Sequence, residues 1–223
     1  MTQLDTLNDL LQARFSCRAF RPDPVPQAHI EQIVEAARHA PSWCNAQPWQ
    51  IIVTAGAETD AFRTALQAEV RNGTPHLDMT GPENYPGVYG DRRREVGWQL
   101  YEAVGVQKGD RQGSHKQMMR NFALFDAPHV AILTSPKELG GYGAMDSGGF
   151  VLAFTLAARA LDIDTIPQAA VASYAGFVRR YFDIADDRMM LCAISFGYAD
   201  LDHPANSFRA NRASIDELVG WRT

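Results

Sequence analysis

The chain of 223 residues has little of what marks several large classes of protein. Its three cysteines, Cys17, Cys44 and Cys192, form no Cys-x-x-Cys pair, which argues against a disulfide framework and a structural zinc site and is in keeping with reduced thiols. The six histidines are scattered, without the His-x-x-x-His or His-Glu spacing that suits a metal, so no metal is assigned. A Gly-x-Gly-x-x-Gly fingerprint is absent, and with it a dinucleotide-binding half of the doubly wound type. No apolar run approaches the length needed to cross a bilayer, the longest lying around Phe150 to Ala158, and Met1 to Asp5 lacks the basic and apolar character of a secretory leader. The chain is therefore expected in the cytoplasm, away from membranes. A formal net charge of -5 gives no general attraction to nucleic acid, which is not expected as a partner.

What remains is ordinary for one globular domain: 46% hydrophobic and 21% charged residues, read as a single domain over residues 1–223. Helices and strands alternate. Leu7, Leu10 and Leu11 mark one face of a first helix, and Ile30, Ile33, Val34 and Ala37 a second that stops near Pro41. Strands are expected at 51–54, 129–134, 163–166 and 189–199, and helices at 57–70, from Asp91, at 114–124 and at 145–160. The last is apolar nearly all round, which predicts burial on most sides and a place at the centre or at a subunit interface. Residues 72–92 are rich in Gly, Pro, Asn and Tyr, predicting a long ordered loop that acts as a lid.

Two short segments carry chemistry. Arg14-Phe15-Ser16-Cys17-Arg18 puts two guanidiniums and a hydroxyl within five residues, donors suited to a phosphate monoester or, taken alone, to a solvated basic edge. About 25 residues later, across the second helix, Pro41-Ser42-Trp43-Cys44-Asn45-Ala46-Gln47-Pro48-Trp49 leads into an apolar strand. Its amides and free backbone groups suit the edge of a heteroaromatic ring, while Trp49 reads as core. Cys44 has no nearby His or basic residue and reads as packing. Arg92, Arg93 and Arg94 open a helix against its macrodipole, an arrangement that suits an anionic substrate or a solvated charge run.

In this order, these segments resemble the flavin-phosphate and flavin-ring elements of the FMN-dependent nitroreductase family, closest to its nitrobenzoate reductase branch. Two later segments extend the likeness: Pro167-Gln168-Ala169-Ala170 after a strand, and Asn206 to Arg212 before Ile215-Asp216. The resemblance implies a mixed α/β fold, α+β in type, around a mainly antiparallel sheet flanked by helices, and a homodimer with FMN at its interface. It implies that Arg14, Ser16 and Arg212, with Arg209 as second choice, hold the phosphate, that Phe15 is among the cofactor-binding residues, and that Arg18 lies nearer the ring. Pro41, Ser42, Trp43 and Asn45 would contact the cofactor across the interface, and Ile166, Pro167, Gln168 and Ala169 would border the face that hydride reaches. NADPH or NADH would reduce the flavin and leave, and a small nitroaromatic acid would then be reduced to a hydroxylamine. Tyr89, Arg92 and Arg93 are its candidate contacts. Another acceptor (an enone, a quinone or a halophenol to be dehalogenated) and a non-catalytic flavin-binding protein are the alternatives. The chain departs from the family at Trp43, where Ser or Thr is common, at Gln168-Ala169-Ala170, where an acidic-glycine pair is common, and in having no clear partner for the flavin's uracil edge.

Overall fold

The computed structural model describes residues 1–222; Thr223, the last residue of the expected domain, lies outside the described residues. The helices are α1 (Gln3–Ala13), α2 (Gln27–Ala37), α3 (Ala57–Asn72), α4 (Val88–Ala103), α5 (Arg111–Met119), α6 (Gly140–Ala160), α7 (Ala169–Ala172), α8 (Ala175–Tyr181) and α9 (Ile215–Leu218). The strands β1 (Gln50–Ala55), β2 (His129–Pro136), β3 (Asp164–Gln168) and β4 (Arg188–Gly197) form one sheet in the order β1-β2-β4-β3. Every neighbouring pair is antiparallel.

Helices on both faces explain why β2 reads as a continuous apolar run, since neither face meets water. Val130 and Ile132 join Phe62, Leu66, Val178 and Met190 on the α3 and α8 side. Ala131 and Leu133 join Ile33, Phe150, Phe154 and Phe196 on the α2 and α6 side. This is the two-residue period of a strand, with both sides apolar. The edge strand β3 runs through Pro167 to Gln168, two residues beyond the expected end. A residue without an N–H is tolerated there because an edge has no second neighbour to satisfy.

Several boundaries differ from expectation. Helix α4 begins at Val88, so residues 88–92 of the expected loop are helical, and Tyr89, Arg92 and Arg93 sit on the helix. Its arginines fall beyond the first residues and are partnered: Arg94 with Asp91, Arg92 with Glu217, and Arg93 over the Tyr85 ring. Gly90 permits the close approach of the preceding turn, for a Cβ there would stand 2.5 Å from the Tyr85 carbonyl oxygen. The remaining segment is tethered. His76 donates its N–H to the Ser173 carbonyl (2.6 Å), and the buried Asp78 carboxylate pairs with Arg179 and accepts the Met190 N–H (2.9 Å). Helix α5 ends at Met119, not Leu124: the N–H groups of Arg120, Asn121 and Phe122 donate three residues back, to Gln117, Met118 and Met119, and Leu124, Phe125 and Asp126 then take left-handed backbone angles (φ 53°, 52° and 63°). Helix α6 is buried along one side only: Phe150 and Phe154 face the core, whereas Tyr142, Met145 and Leu152 are exposed.

His129, buried at the start of β2, fixes the turn before α2. Its Nε2 accepts the Val25 N–H (2.9 Å) and its Nδ1 faces the Thr54 carbonyl (3.1 Å), so the ring is neutral with the proton on Nδ1. Burial holds its pKa below the ordinary value, outweighing the Thr54 carbonyl. A depressed value means that its contribution to stability is present above about pH 6.5 and is lost as pH falls through the folded-state value. Protonation sets Nε2–H against the Val25 N–H, at a cost of about 1–3 kcal/mol. Thermal melts from neutral to mildly acidic pH are expected to fall more steeply for the wild type than for His129→Gln, whose amide offers both groups without titrating. Equal slopes would remove His129 as the origin.

Candidate functional site

The basic segment forms a short extended run after α1. Phe15, Cys17 and Ala19 are buried while Arg14, Ser16 and Arg18 are half-exposed, so the two-residue period lines the three donors along one face. Ser16 bridges Thr165 of β3 in parallel, and the Cys17 N–H donates to the Thr165 carbonyl (3.1 Å). Burial pushes the Cys17 thiol up to about 12 and leaves it unreactive.

The C-terminal segment returns against this run. Asn206, almost fully buried, accepts the Arg18 N–H (2.7 Å) and donates to the carbonyls of Ala19 (2.9 Å) and Asp200 (2.8 Å). No motif had singled out Asn206, although it opens the late basic element; its signal is a polar side chain that must be buried to be fully bonded. Arg209 then lies over the Phe15 ring, 3.9 Å from its centroid. Arg212 donates only to its own segment, to the carbonyls of Ala210 and Asn211.

Between the two runs lies a groove of about 570 Å³, lined by Arg14, Ser16, Arg18, Arg209 and Arg212 and by the apolar Leu11, Val96, Leu152 and Phe208. Among the described residues no Asp or Glu lines it. Among the described residues none of the four arginines has a carboxylate within ion-pair distance. Burial and then the charge of Arg212 hold the Arg14 guanidinium below its usual range, and burial does the same to Arg18. Converging cations without a counter-charge, beside an apolar wall, fit a ligand with a phosphate at one end and a flat ring at the other.

The other expected contacts divide. Ile166 packs with Phe15 and Phe125 beneath the groove. Pro167 and Ala169 are exposed on the corner where β3 meets α7, and Gln168 is buried with its amide turned inward. Pro41, Ser42, Trp43 and Asn45 do not line the groove of their own chain. They stand beside the N-terminal half of α6, where the Trp43 N–H donates to Asp146 (3.1 Å) and its ring meets Tyr142 edge-on (4.5 Å). Leu152, the α6 residue in the groove, is six positions on, about 9 Å along the helix. Cys44, Asn45 and Gln47 take left-handed angles (φ 50°, 56° and 46°), and Cys44 is exposed, not packed as expected. Arg92 lines a recess of about 290 Å³ that shares Val96, Ala210 and Arg212 with the groove; Arg93 and Tyr89 line neither.

An antiparallel sheet covered by helices on both faces, with an arginine groove beside the corner of its edge strand, defines an α/β protein whose groove carries the donors and apolar wall suited to a phosphorylated, ring-bearing small molecule. The model of the nitroreductase family matches residues 11–198, and the chain belongs to that family. Among its relatives, nitroreductase NfnB of Mycolicibacterium smegmatis is 35% identical, over 94% of this chain and 90% of its own. The 4-nitrobenzoate reductase of Pseudomonas putida is 30% identical, over 93% and 92%. The crystal structure of the FMN-dependent nitroreductase NfnB from Mycobacterium smegmatis in complex with NADPH matches with a TM-score of 0.95 at 32% identity, covering 100% of both chains.

Proposed function

We propose that this chain is an oxidoreductase that binds FMN and uses NADPH or NADH to reduce small nitroaromatic compounds, a nitrobenzoate-like acid first among them. The observation that carries the reading is the groove of four arginines without a carboxylate. Family membership supplies the chemical class.

Arg14, Ser16 and Arg212 hold the phosphate, Arg209 braces the groove through Phe15, and Arg18 lies toward the ring. FMN held there would supply the two-electron redox chemistry that links a nicotinamide to a nitro group. The chain's own part is electrostatic: Arg18, its guanidinium donating to the Ser16 carbonyl (3.1 Å), would stabilise negative charge on a reduced flavin ring. The corner formed by Ile166, Pro167, Gln168 and Ala169 borders the reacting face with its backbone. Nicotinamide and acceptor use one cavity in turn, which gives ping-pong kinetics. Arg92, in the adjoining recess, is the candidate substrate-side cation and would exchange its Glu217 partner (2.9 Å) for the substrate's carboxylate; Arg93 and Tyr89 stand on the same helix.

The protein acts as a homodimer. Leu7 and Leu11 of α1 and Met145 and Leu152 of α6 expose apolar side chains, and the loop from Pro41 to Asn45 stands beside this face. Covering the face with a second copy removes the exposed patch and brings that loop to the partner's groove. Among the described residues no helix is long and apolar enough to cross a membrane, and the three free cysteines suit a reducing compartment; we place it in the cytoplasm.

Purified protein is expected to be yellow, to bleach when NADPH or NADH is added without oxygen, and to regain its colour with nitrobenzoate. The same preparation should scatter light as a particle of twice 24.7 kDa. Colourless protein that does not take up added FMN would sink the reading. Bound flavin that no nicotinamide bleaches would favour a non-catalytic flavin-binding protein.

A further inference from the structure

At the corner between β3 and α7 the buried amide of Gln168 is bonded at both ends. Its Oε1 accepts the Ser195 hydroxyl (2.5 Å) and its Nε2 donates to the Asn121 carbonyl (2.8 Å). Gln168 and Ser195 are both buried, at 3% and 0% exposure. In the β3–β4 register Gln168 faces Ala193 and Ile166 faces Ser195, so the two side chains are diagonal neighbours on one face of the sheet. Gln168 immediately precedes α7 yet makes no capping bond to it; its amide is spent inward.

Each end of that amide is held by an element that is itself fixed. Ser195 lies on β4, which pairs on both sides. Asn121 leads into the left-handed turn Leu124 to Asp126, and Arg63 clamps that turn by donating to the carbonyls of Ala123 (3.0 Å) and Ala127 (2.6 Å). Phe125 of the turn packs with Phe15 and Ile166. Gln168 thus closes a ring of contacts running from the corner through the left-handed turn to the arginine run. A backbone corner that borders a cofactor needs such support, because a displacement of under an ångström alters its hydrogen bonds.

We infer that Ser195 and Gln168 are positioning residues: the Ser195–Gln168–Asn121 chain of hydrogen bonds fixes the backbone corner Pro167–Ala169 against the ring end of the bound flavin. The inference rests on the FMN reading above. It separates the side chain of Gln168, which faces the protein interior, from the exposed Pro167 and Ala169 on either side, which would meet the ligand.

Gln168→Glu tests it because the replacement keeps the shape and adds a titration. A carboxyl buried against the Asn121 carbonyl is pushed upward, and only its protonated form can donate as the amide does. At roughly pH 8 the variant is expected to bind FMN about tenfold more weakly than wild type, with the midpoint potential of the bound flavin shifted to more negative values. At roughly pH 5.5 both should return toward wild type. Ser195→Ala should weaken FMN at every pH, and Ser195→Cys should restore part of the loss. Dissociation constants come from quenching of flavin fluorescence, and potentials from dye-coupled titration. If Gln168→Glu lowers the melting temperature but leaves affinity and potential at wild-type values across this range, the network is structural only and the inference fails. If the wild type itself takes up no FMN, the functional reading fails, and this inference with it.

Discussion

Arg14→Met is expected to weaken FMN about 10- to 100-fold while leaving the cofactor-free protein at least as stable as the wild type. The two effects have opposite causes. A guanidinium–phosphate hydrogen bond is charge-assisted and contributes roughly 1.5–3 kcal/mol, which sets the loss in affinity. In the empty groove the same guanidinium is a liability: burial and the nearby Arg212 both oppose its charge, and no carboxylate lines the site to offset them. Methionine keeps an aliphatic stem of similar length in the groove wall and removes the repulsion. Fluorescence titration with FMN and melting of the flavin-free protein check the two halves separately. Arg212→Met should act in the same direction, and the double variant should lose less than the sum, since the two arginines repel each other and share one ligand. An unchanged dissociation constant in Arg14→Met would remove the phosphate from this groove.

That groove was legible because its information is local. Alternation of Arg14, Ser16 and Arg18 with Phe15, Cys17 and Ala19 needs only an extended backbone, and burial of the second set follows from the first being charged. The sheet was legible for a related reason: β2, apolar on both faces, has no reading as a surface element. What escaped depends on contacts between distant segments. Helix α4 begins at Val88 despite a Pro- and Gly-rich approach, because Gly90 lets the Tyr85 carbonyl close in and Asp78 is drawn into an ion pair with Arg179. The inward turn of Gln168 depends on Ser195 and Asn121, which lie 27 and 47 residues away. The loop from Pro41 to Asn45 stands apart from the groove of its own chain, held by Asp146 and Tyr142 of α6, which lie about a hundred residues away.

The largest loss of stability is expected from Arg159→Met. Arg159 stands in the last turn of α6, where a cation also suits the helix dipole, and donates to the Asp164 carboxylate (2.7 Å) at the start of β3. Asp164 is 6% exposed and also accepts the Ala199 N–H (3.3 Å). Burial raises its pKa in spite of Arg159 beside it. Without the arginine a buried carboxylate is left unpaired, at a cost of about 3–5 kcal/mol, or about 6–20 °C in melting temperature for a chain of this size. The sign of the pH dependence follows from the raised value: the folded state holds the proton more tightly than the unfolded chain, so ionised Asp164 opposes folding and protonation relieves it. The gap between variant and wild type is therefore expected to be widest at neutral pH and to narrow as pH falls through the variant's raised carboxyl value. Asp164→Asn added to Arg159→Met should recover most of the loss, because the amide still accepts the Ala199 N–H and carries no charge. A gap that stays constant with pH, or that Asp164→Asn leaves untouched, would assign the loss to the packing of the arginine stem. The pair ties the end of α6 to β3, and Leu152 lies on the same helix while the Pro167–Ala169 corner ends the same strand. FMN affinity should thus fall together with stability in Arg159→Met and return together in the double variant.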